Sequence, residues 1–180
     1  AHELKTPIFN IQGYTLTLLE GGLQDDNINE KYLNKIAELE KEREFCRHDL
    51  NHFIATTRLA YLSYLENNNK IDIPKDIIYA AGLLHDIGRF QQYIDGTDHA
   101  FASSKLADEI LKDSGYSMEE RKNICIAIKE HRLKDSNSCS SPLSRFLWEG
   151  DKKSRLCFCC NVKSKCHKDA AMPNFKSLQY

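Results

Sequence analysis

The run Ile77–Leu84, "IIYAAGLL", is apolar on a helical period and ends abruptly on His85-Asp86, with Gly88 and Arg89 just beyond. A histidine and a carboxylate leaving a hydrophobic helix constrain this chain more than any other feature. A polar group buried there without a partner costs roughly 1–3 kcal/mol or more. The fold must therefore bring partners to this pair, and the rest of the sequence has to supply them.

The surrounding periodicity is helical throughout. Ala1–Glu20 reads as a helix with apolar positions at Leu4, Ile8, Ile11, Tyr14, Leu16, Leu18 and Leu19, stopped by Gly21-Gly22. Glu30–Glu44 is a highly charged helix with glutamates and lysines at spacings near i,i+4. Leu50–Leu65 is strongly apolar on a helical period and ends in the turn-like "ENNNK". Pro74 suits the first turn of the helix that runs to His85-Asp86. After a loop, His99–Ser114 is helical, and "SMEE" (Ser117–Glu120) matches a capping box opening a helix to about His131. Small polar residues follow, and Leu143–Leu156 resumes helix. No alternating strand pattern accompanies the turn signals, so the predicted class is all-α. The expected organisation is a helical segment over 1–40, a helical domain over 41–156 and a Cys-rich tail over 157–180.

At 180 residues, with 41% hydrophobic and 28% charged content, the chain can bury a real core. A net charge of −1 gives no reason to expect nucleic acid or an anionic membrane as partner. No apolar run approaches the ~20 residues of a membrane span, and no signal peptide is read at the start. The odd total of 7 cysteines, four of them crowded between Cys157 and Cys166, fits a reducing compartment better than a disulfide framework. A cytoplasmic location is the expectation.

Candidate partners for His85 and Asp86 fall on or at the ends of the other helices: His52, His99, His131 and Asp151. Imidazoles and carboxylates mixed in this way suit Mn²⁺, Fe²⁺ or Zn²⁺. Six such groups exceed the needs of one tetrahedral ion, and two ions about 3.5–4 Å apart sharing Asp86 would use them. In order, His52, the "HD" at 85–86 and Asp151 in "GDKKSR" resemble the H…HD…D pattern of the HD superfamily of metal-dependent phosphohydrolases over residues ~45–156. His99 and His131 resemble the extra pair of HD proteins with a dinuclear centre, among them diadenosine tetraphosphate hydrolases and cyclic-di-GMP phosphodiesterases. The single His131 in "EHRLK" and the lack of a Gly-Tyr-Pro signature argue against the cyclic-di-GMP subgroup. His48 lies four residues before His52, so helical spacing alone cannot choose between them. The resemblance implies His52, because the downstream "HFIATTRLAYL" matches the family's pattern, and leaves His48 as a supporting or surface residue.

The resemblance implies a helical bundle that cleaves a phosphoester or phosphoanhydride, of a nucleotide in the first instance, by metal-activated hydroxide. Asp86 and Arg89 are its expected catalytic residues, with Arg89 and Arg132 reaching substrate phosphate. A non-catalytic regulatory HD module is the alternative. The expected partner is a phosphorylated small molecule, and homo-oligomerisation is left open.

In the tail, Cys157, Cys160 and Cys166 form C-x₂-C-x₅-C, a spacing that takes Zn²⁺ or an iron–sulfur cluster. Cys46, His167 and Cys159 are candidate fourth ligands, and free thiols are the competing reading. At the other end, "HELKTPIFNIQGYTLTLLEGGL" resembles the H-box of bacterial sensor histidine kinases. That resemblance implies His2 as phosphoacceptor, with Glu3 and Thr6 assisting, and makes a phosphotransfer fragment the weakest functional alternative. The match stops near residue 30, so the segment is expected to be fused or truncated and inactive on its own. Packing as an amphipathic helix is the favoured reading for it.

Overall fold

The protein was analysed as a computed structural model that describes residues 32–67, 71–167 and 172–178. The helix expected over Ala1–Glu20, and with it His2, lies outside the described residues.

Seven α-helices follow in order among the described residues: α1 (Asn34–Leu39), α2 (Leu50–Glu66), α3 (Lys75–Leu84), α4 (Arg89–Asp95), α5 (His99–Asp113), α6 (Met118–Glu130) and α7 (Pro142–Lys153). No strand occurs among the described residues, as the helical periodicity predicts. Side-chain caps open four of them. Asp49 accepts from the His52 amide at α2, Asp98 from Phe101 at α5, and Ser141 from Ser144 at α7. At α6, Ser117 and Glu120 complete the capping box.

Three boundaries differ from the sequence reading. The charged helix expected to reach Glu44 stops at Leu39, and Glu40 turns inward, 1% exposed. The stretch expected as a loop after Asp86 contains α4, a short helix that buries only Phe90 and ends on Gly96 at φ 80°. Seven residues with one buried apolar side chain leave almost no periodic signal. The last helix ends at Lys153, and a 3₁₀ turn over Cys157–Cys159 follows.

Helix α3 is central. Seven of its residues, Ile77, Ile78 and Ala80 to Leu84, are buried, which its almost continuous apolar sequence demands. It packs on α2 and α6 and also touches α7, which lies along α2 and against α6. Phe53, Leu84, Ile87, Ile124, Ile128, Phe146 and Leu147 fill the space between. Two close approaches determine the depth at which these helices dock. A Cβ on Gly82 would stand 2.7 Å from Thr57 Cα, and one on Gly150 would stand 2.5 Å from the Thr56 carbonyl oxygen and 2.8 Å from the Ala60 nitrogen. Gly82 precedes His85 by one turn and Gly150 precedes Asp151, so these contacts bring polar helix ends together.

An exposed helical glycine replaced by alanine gains up to about 1 kcal/mol. Gly150→Ala should do the reverse, losing about 1–3 kcal/mol because α7 must move off backbone atoms of α2. For a chain of this size each kcal/mol is about 2–4 °C of Tm. Thermal unfolding of the variant checks the sign, and a rise in Tm would contradict the packing described.

Candidate metal centre

Five of the chain's 7 histidines meet at one point, where helix ends converge. His85 and His131 are the C-cap residues of α3 and α6. His52 sits in the first turn of α2 and His99 opens α5. His48 precedes the Asp49 N-cap, whose backbone is extended, so it is not on the helix at all. All five are buried, together with Asp86 and Asp151.

Asp86 stands in the middle, and its two oxygens face different sets. Oδ2 lies 3.5 Å from His85 Nε2, 3.6 Å from His48 Nε2 and 3.8 Å from His52 Nε2. Oδ1 lies 3.3 Å from His99 Nε2 and 3.5 Å from His131 Nε2. Asp151 Oδ1 approaches His52 Nε2 at 3.4 Å and His85 Nε2 at 3.9 Å.

The other ring nitrogens decide what these Nε2 atoms offer. His85 Nδ1 donates to the Gly82 carbonyl at 2.7 Å, and His131 Nδ1 to the Ile128 carbonyl at 2.6 Å. Each uses an acceptor at the end of its own helix that the backbone leaves free. His48 Nδ1 meets Glu40 Oε1 at 2.6 Å, and His99 Nδ1 meets Gln92 Oε1 at 2.6 Å. His52 Nδ1 lies 3.0 Å from Ser154 Oγ, which spends its own proton on the Asp151 carbonyl at 2.6 Å and therefore accepts from the histidine. With the proton held on Nδ1, the rings of His48, His52, His85 and His131 turn an unprotonated Nε2 toward Asp86, and that of His52 also accepts from Arg155 at 3.0 Å.

That arrangement fits a divalent cation. His52 Nε2 and His85 Nε2 are 3.2 Å apart with no proton to share between them. Asp86 Oδ1 is buried without a hydrogen-bond donor. Three overlapping sets have all their donor atoms within 4.8 Å of one another: His48, His52 and Asp86; His52, His85 and Asp151; Asp86, His99 and His131. Imidazole with carboxylate is the donor chemistry of Mn, Fe and Zn sites. The outer partners Gly82, Ile128, Ser154, Gln92 and Glu40 have the place of groups that orient ligating histidines.

Electrostatics point the same way. Burial takes His85 and His99 down to about 3, although Asp86 pulls each the other way. Burial also lowers His48. It opposes ionisation of Asp86, but the surrounding imidazoles outweigh it and hold the carboxyl well below its ordinary value. Asp151 is likewise lowered against its burial, by Lys152 first and then by the histidines. At neutral pH both carboxylates are ionised and His48, His85 and His99 are held neutral, which is the protonation state that metal ligation requires.

The remaining predicted residues divide. Arg89 lies at the His99 side of the cluster, where Nη1 stands 2.7 Å from His99 Nδ1 and 3.1 Å from its Nε2, and Nε donates to the Tyr93 hydroxyl at 3.1 Å. Arg132 turns away to an exposed pair with Asp98. Sequence reasoning missed two cations at the rim. Arg155 Nη2 donates to His52 Nε2 at 3.0 Å, and Lys152 Nζ lies 2.5 Å from Asp151 Oδ2. Both stand in the quoted "GDKKSR" beside Asp151, so their position in sequence was the available signal. Glu40 was also missed. It accepts from the His48 amide at 2.5 Å, the His48 ring and the Tyr93 hydroxyl, and these outweigh burial to take it down to about 2. Nothing local in a charged helix marks that carboxylate for burial.

Comparison with known proteins gives one family. The HD domain model matches residues 49–161. An uncharacterised protein of Clostridium beijerinckii is 37% identical over 145 residues, covering 81% of this chain and 88% of that protein. A crystal structure described as a predicted HD superfamily hydrolase, from an uncultured Thermotogales bacterium, aligns with a TM-score of 0.52 at 26% identity. The alignment covers 69% of this chain and 66% of that one, just under two thirds of that protein's length. With a family model over more than half its length and the H…HD…D residues gathered in one buried cluster, the chain belongs to the HD-domain family.

Proposed function

We propose that this HD-domain protein is a metal-dependent phosphohydrolase that cleaves a phosphoester or phosphoanhydride of a nucleotide. Family membership and the His/Asp cluster support the general activity. The observation that carries the reading is the convergence of five imidazole Nε2 atoms on the two oxygens of Asp86. In this reading His52, His85, Asp86 and Asp151, with His48 beside them, hold one divalent ion, and Asp86, His99 and His131 hold a second.

A bound divalent ion supplies Lewis-acid chemistry, lowering the pKa of water towards ~7 and neutralising charge that grows on phosphoryl oxygens. The protein's own part is positional. Gly82, Ile128, Ser154 and Glu40 keep the ring protons of His85, His131, His52 and His48 on Nδ1, so those rings turn Nε2 inward, and Gln92 orients His99. Asp86 stays ionised and lies between the two sets. Arg89 and Arg155 flank the cluster at His99 and His52, where their guanidinium forks suit a phosphate with two free oxygens. Lys152 adds a third cation at Asp151. Three cations at the rim favour a polyanionic substrate, and a nucleotide is the class that the diadenosine tetraphosphate hydrolase resemblance suggests.

Asp86→Ala should lose bound metal and reduce phosphate release at least about 100-fold, since it removes a shared ligand and not merely an outer partner. Elemental analysis beside a nucleotide panel supplemented with Mn²⁺, Fe²⁺ or Zn²⁺ reads both. Wild-type protein with no metal and no hydrolysis under any of these ions would overturn the enzymatic reading. Hydrolysis of simple phosphomonoesters with every nucleotide left intact would remove only the nucleotide. Ser154→Ala removes the nearer partner of His52 Nδ1, leaving only Thr56 Oγ1 at 3.4 Å, and should weaken metal affinity about 10-fold or more with the fold retained, measured by competition with a chelator.

The metal-stripped protein should also be acid-sensitive. His85 and His99 take up protons near pH 6.5 when unfolded, but only near 3 when folded. Above about pH 6.5 the two states bind the same number of protons there; between 6.5 and 3 the unfolded state binds more, and stability falls. Tm of stripped protein should drop from about pH 7.5 to 5, a range in which ordinary carboxylates remain ionised. A flat Tm over that interval would contradict neutral buried histidines.

A further inference from the structure

Among the described residues, every set of three ligand atoms within 4.8 Å belongs to the His/Asp cluster, so Cys46, Cys157, Cys160 and Cys166 are not gathered as their spacing predicts. A different constellation stands behind that cluster, where α1 and α4 meet. It comprises Glu40, Arg43, Arg89 and Tyr93, with the Tyr93 hydroxyl at its centre. Arg89 and Tyr93 are four residues apart on α4, so both side chains leave the same face. The hydroxyl donates its single proton to Glu40 Oε1. Its oxygen accepts from Arg43 Nη1 at 2.8 Å and from Arg89 Nε at 3.1 Å. The one proton and both lone pairs of the group are therefore in use.

Each partner leads to another part of the site. Glu40 accepts from the His48 amide at 2.5 Å and meets His48 Nδ1 at 2.6 Å. Arg43 also donates from Nε to the Cys46 carbonyl at 2.8 Å, which ties down the segment that carries His48. Arg89 runs from Tyr93 to His99, where its Nη1 lies 2.7 Å from Nδ1. His48 faces Asp86 Oδ2, whereas His99 faces Asp86 Oδ1. One hydroxyl thus connects the two sides of the central carboxylate. Burial first, and then Glu40, push that hydroxyl upward, so it keeps the proton that Glu40 accepts.

We infer that Tyr93 is a positioning residue that joins the two halves of the metal centre, holding Glu40 on His48 and Arg89 beside His99 through one hydroxyl. It acts through those two side chains and touches no ligand atom itself. An arginine already held at Nε has less freedom to lose when a phosphate is bound, so the hydroxyl favours binding at its fork. The role of Arg89 toward phosphate rests on the phosphohydrolase reading. The role of Glu40 toward His48 does not.

The test compares wild type with Tyr93→Phe, which keeps the ring and removes only the hydroxyl, as full-length zinc-loaded proteins. Zinc affinity is read by competition with a chelator, and inorganic phosphate affinity by calorimetry. Both should weaken in Tyr93→Phe, phosphate by about 2- to 10-fold, the range of one hydrogen bond. Non-additivity separates positioning from general packing. In an Arg89→Ala background Tyr93→Phe should leave phosphate affinity unchanged, and in a Glu40→Ala background it should leave zinc affinity unchanged. If circular dichroism shows Glu40→Ala unfolded, His48→Gln takes its place. Equal losses in every background, or wild-type affinities in Tyr93→Phe, would overturn the inference. Zinc-loaded wild type that neither binds phosphate nor hydrolyses any phosphoester would remove the phosphohydrolase reading instead, and the zinc measurements would still decide the link from Tyr93 to His48.

Discussion

The structure turns on one buried carboxylate. Asp86 is 2% exposed, yet it is held ionised because imidazoles surround both its oxygens. An isolated carboxylate at that depth would protonate rather than bear the desolvation penalty. The ring dipoles soften the penalty, but Nε2 atoms crowded on one carboxylate, with His52 and His85 Nε2 3.2 Å apart and no proton between them, call for positive charge to complete the arrangement. The helices are positioned to satisfy this need. Each contributes an end, where backbone groups are free and a side chain can point along the axis into a shared space.

A layer of less conspicuous residues makes the cluster coherent. His85 and His131 use identical local geometry, each bonding the carbonyl three residues earlier in its own helix. The other histidines borrow partners from outside their own helices: Ser154 beyond α7, Gln92 from α4, Glu40 from the end of α1. Small residues make this reach feasible. Without the close contacts of Gly82 and Gly150 against α2, the helices would stand further apart and the donor atoms could not converge within 4.8 Å. Packing and polar chemistry are therefore one constraint here, since the van der Waals approach determines the electrostatic distances.

Much of this was legible in the chain. The 3.6-residue periodicity predicted α2, α3, α5 and α6 to within a residue or two, and the Ser117–Glu120 box marked the start of α6 directly. The histidines and aspartates in the H…HD…D order pointed to the cluster that the fold assembles. Three features were not legible. The short α4 carries Gln92 and Tyr93 with too few apolar residues to show a period. His48 was assessed as if α2 extended back to it, whereas the chain is extended at Asp49 and turns the His48 ring inward. Arg132 and Arg155 look alike in sequence, but one is exposed against Asp98 and the other crosses to His52.

By itself the sequence determined the helical class, the chemistry of the donors and the membership of His52, His85, Asp86, His99, His131 and Asp151 in a candidate set. The class follows from local periodicity, and the set from the cost of burying polar groups alone together with the H…HD…D order of the family it resembles. Tertiary structure decided which nitrogen each ring presents, that Glu40 and His48 join the cluster, and that Arg155 rather than Arg132 faces it. Those outcomes depend on groups up to about a hundred residues apart meeting at hydrogen-bonding distance. Only the docking of helices, through contacts such as Gly150 on Thr56 and Ala60, determines those distances.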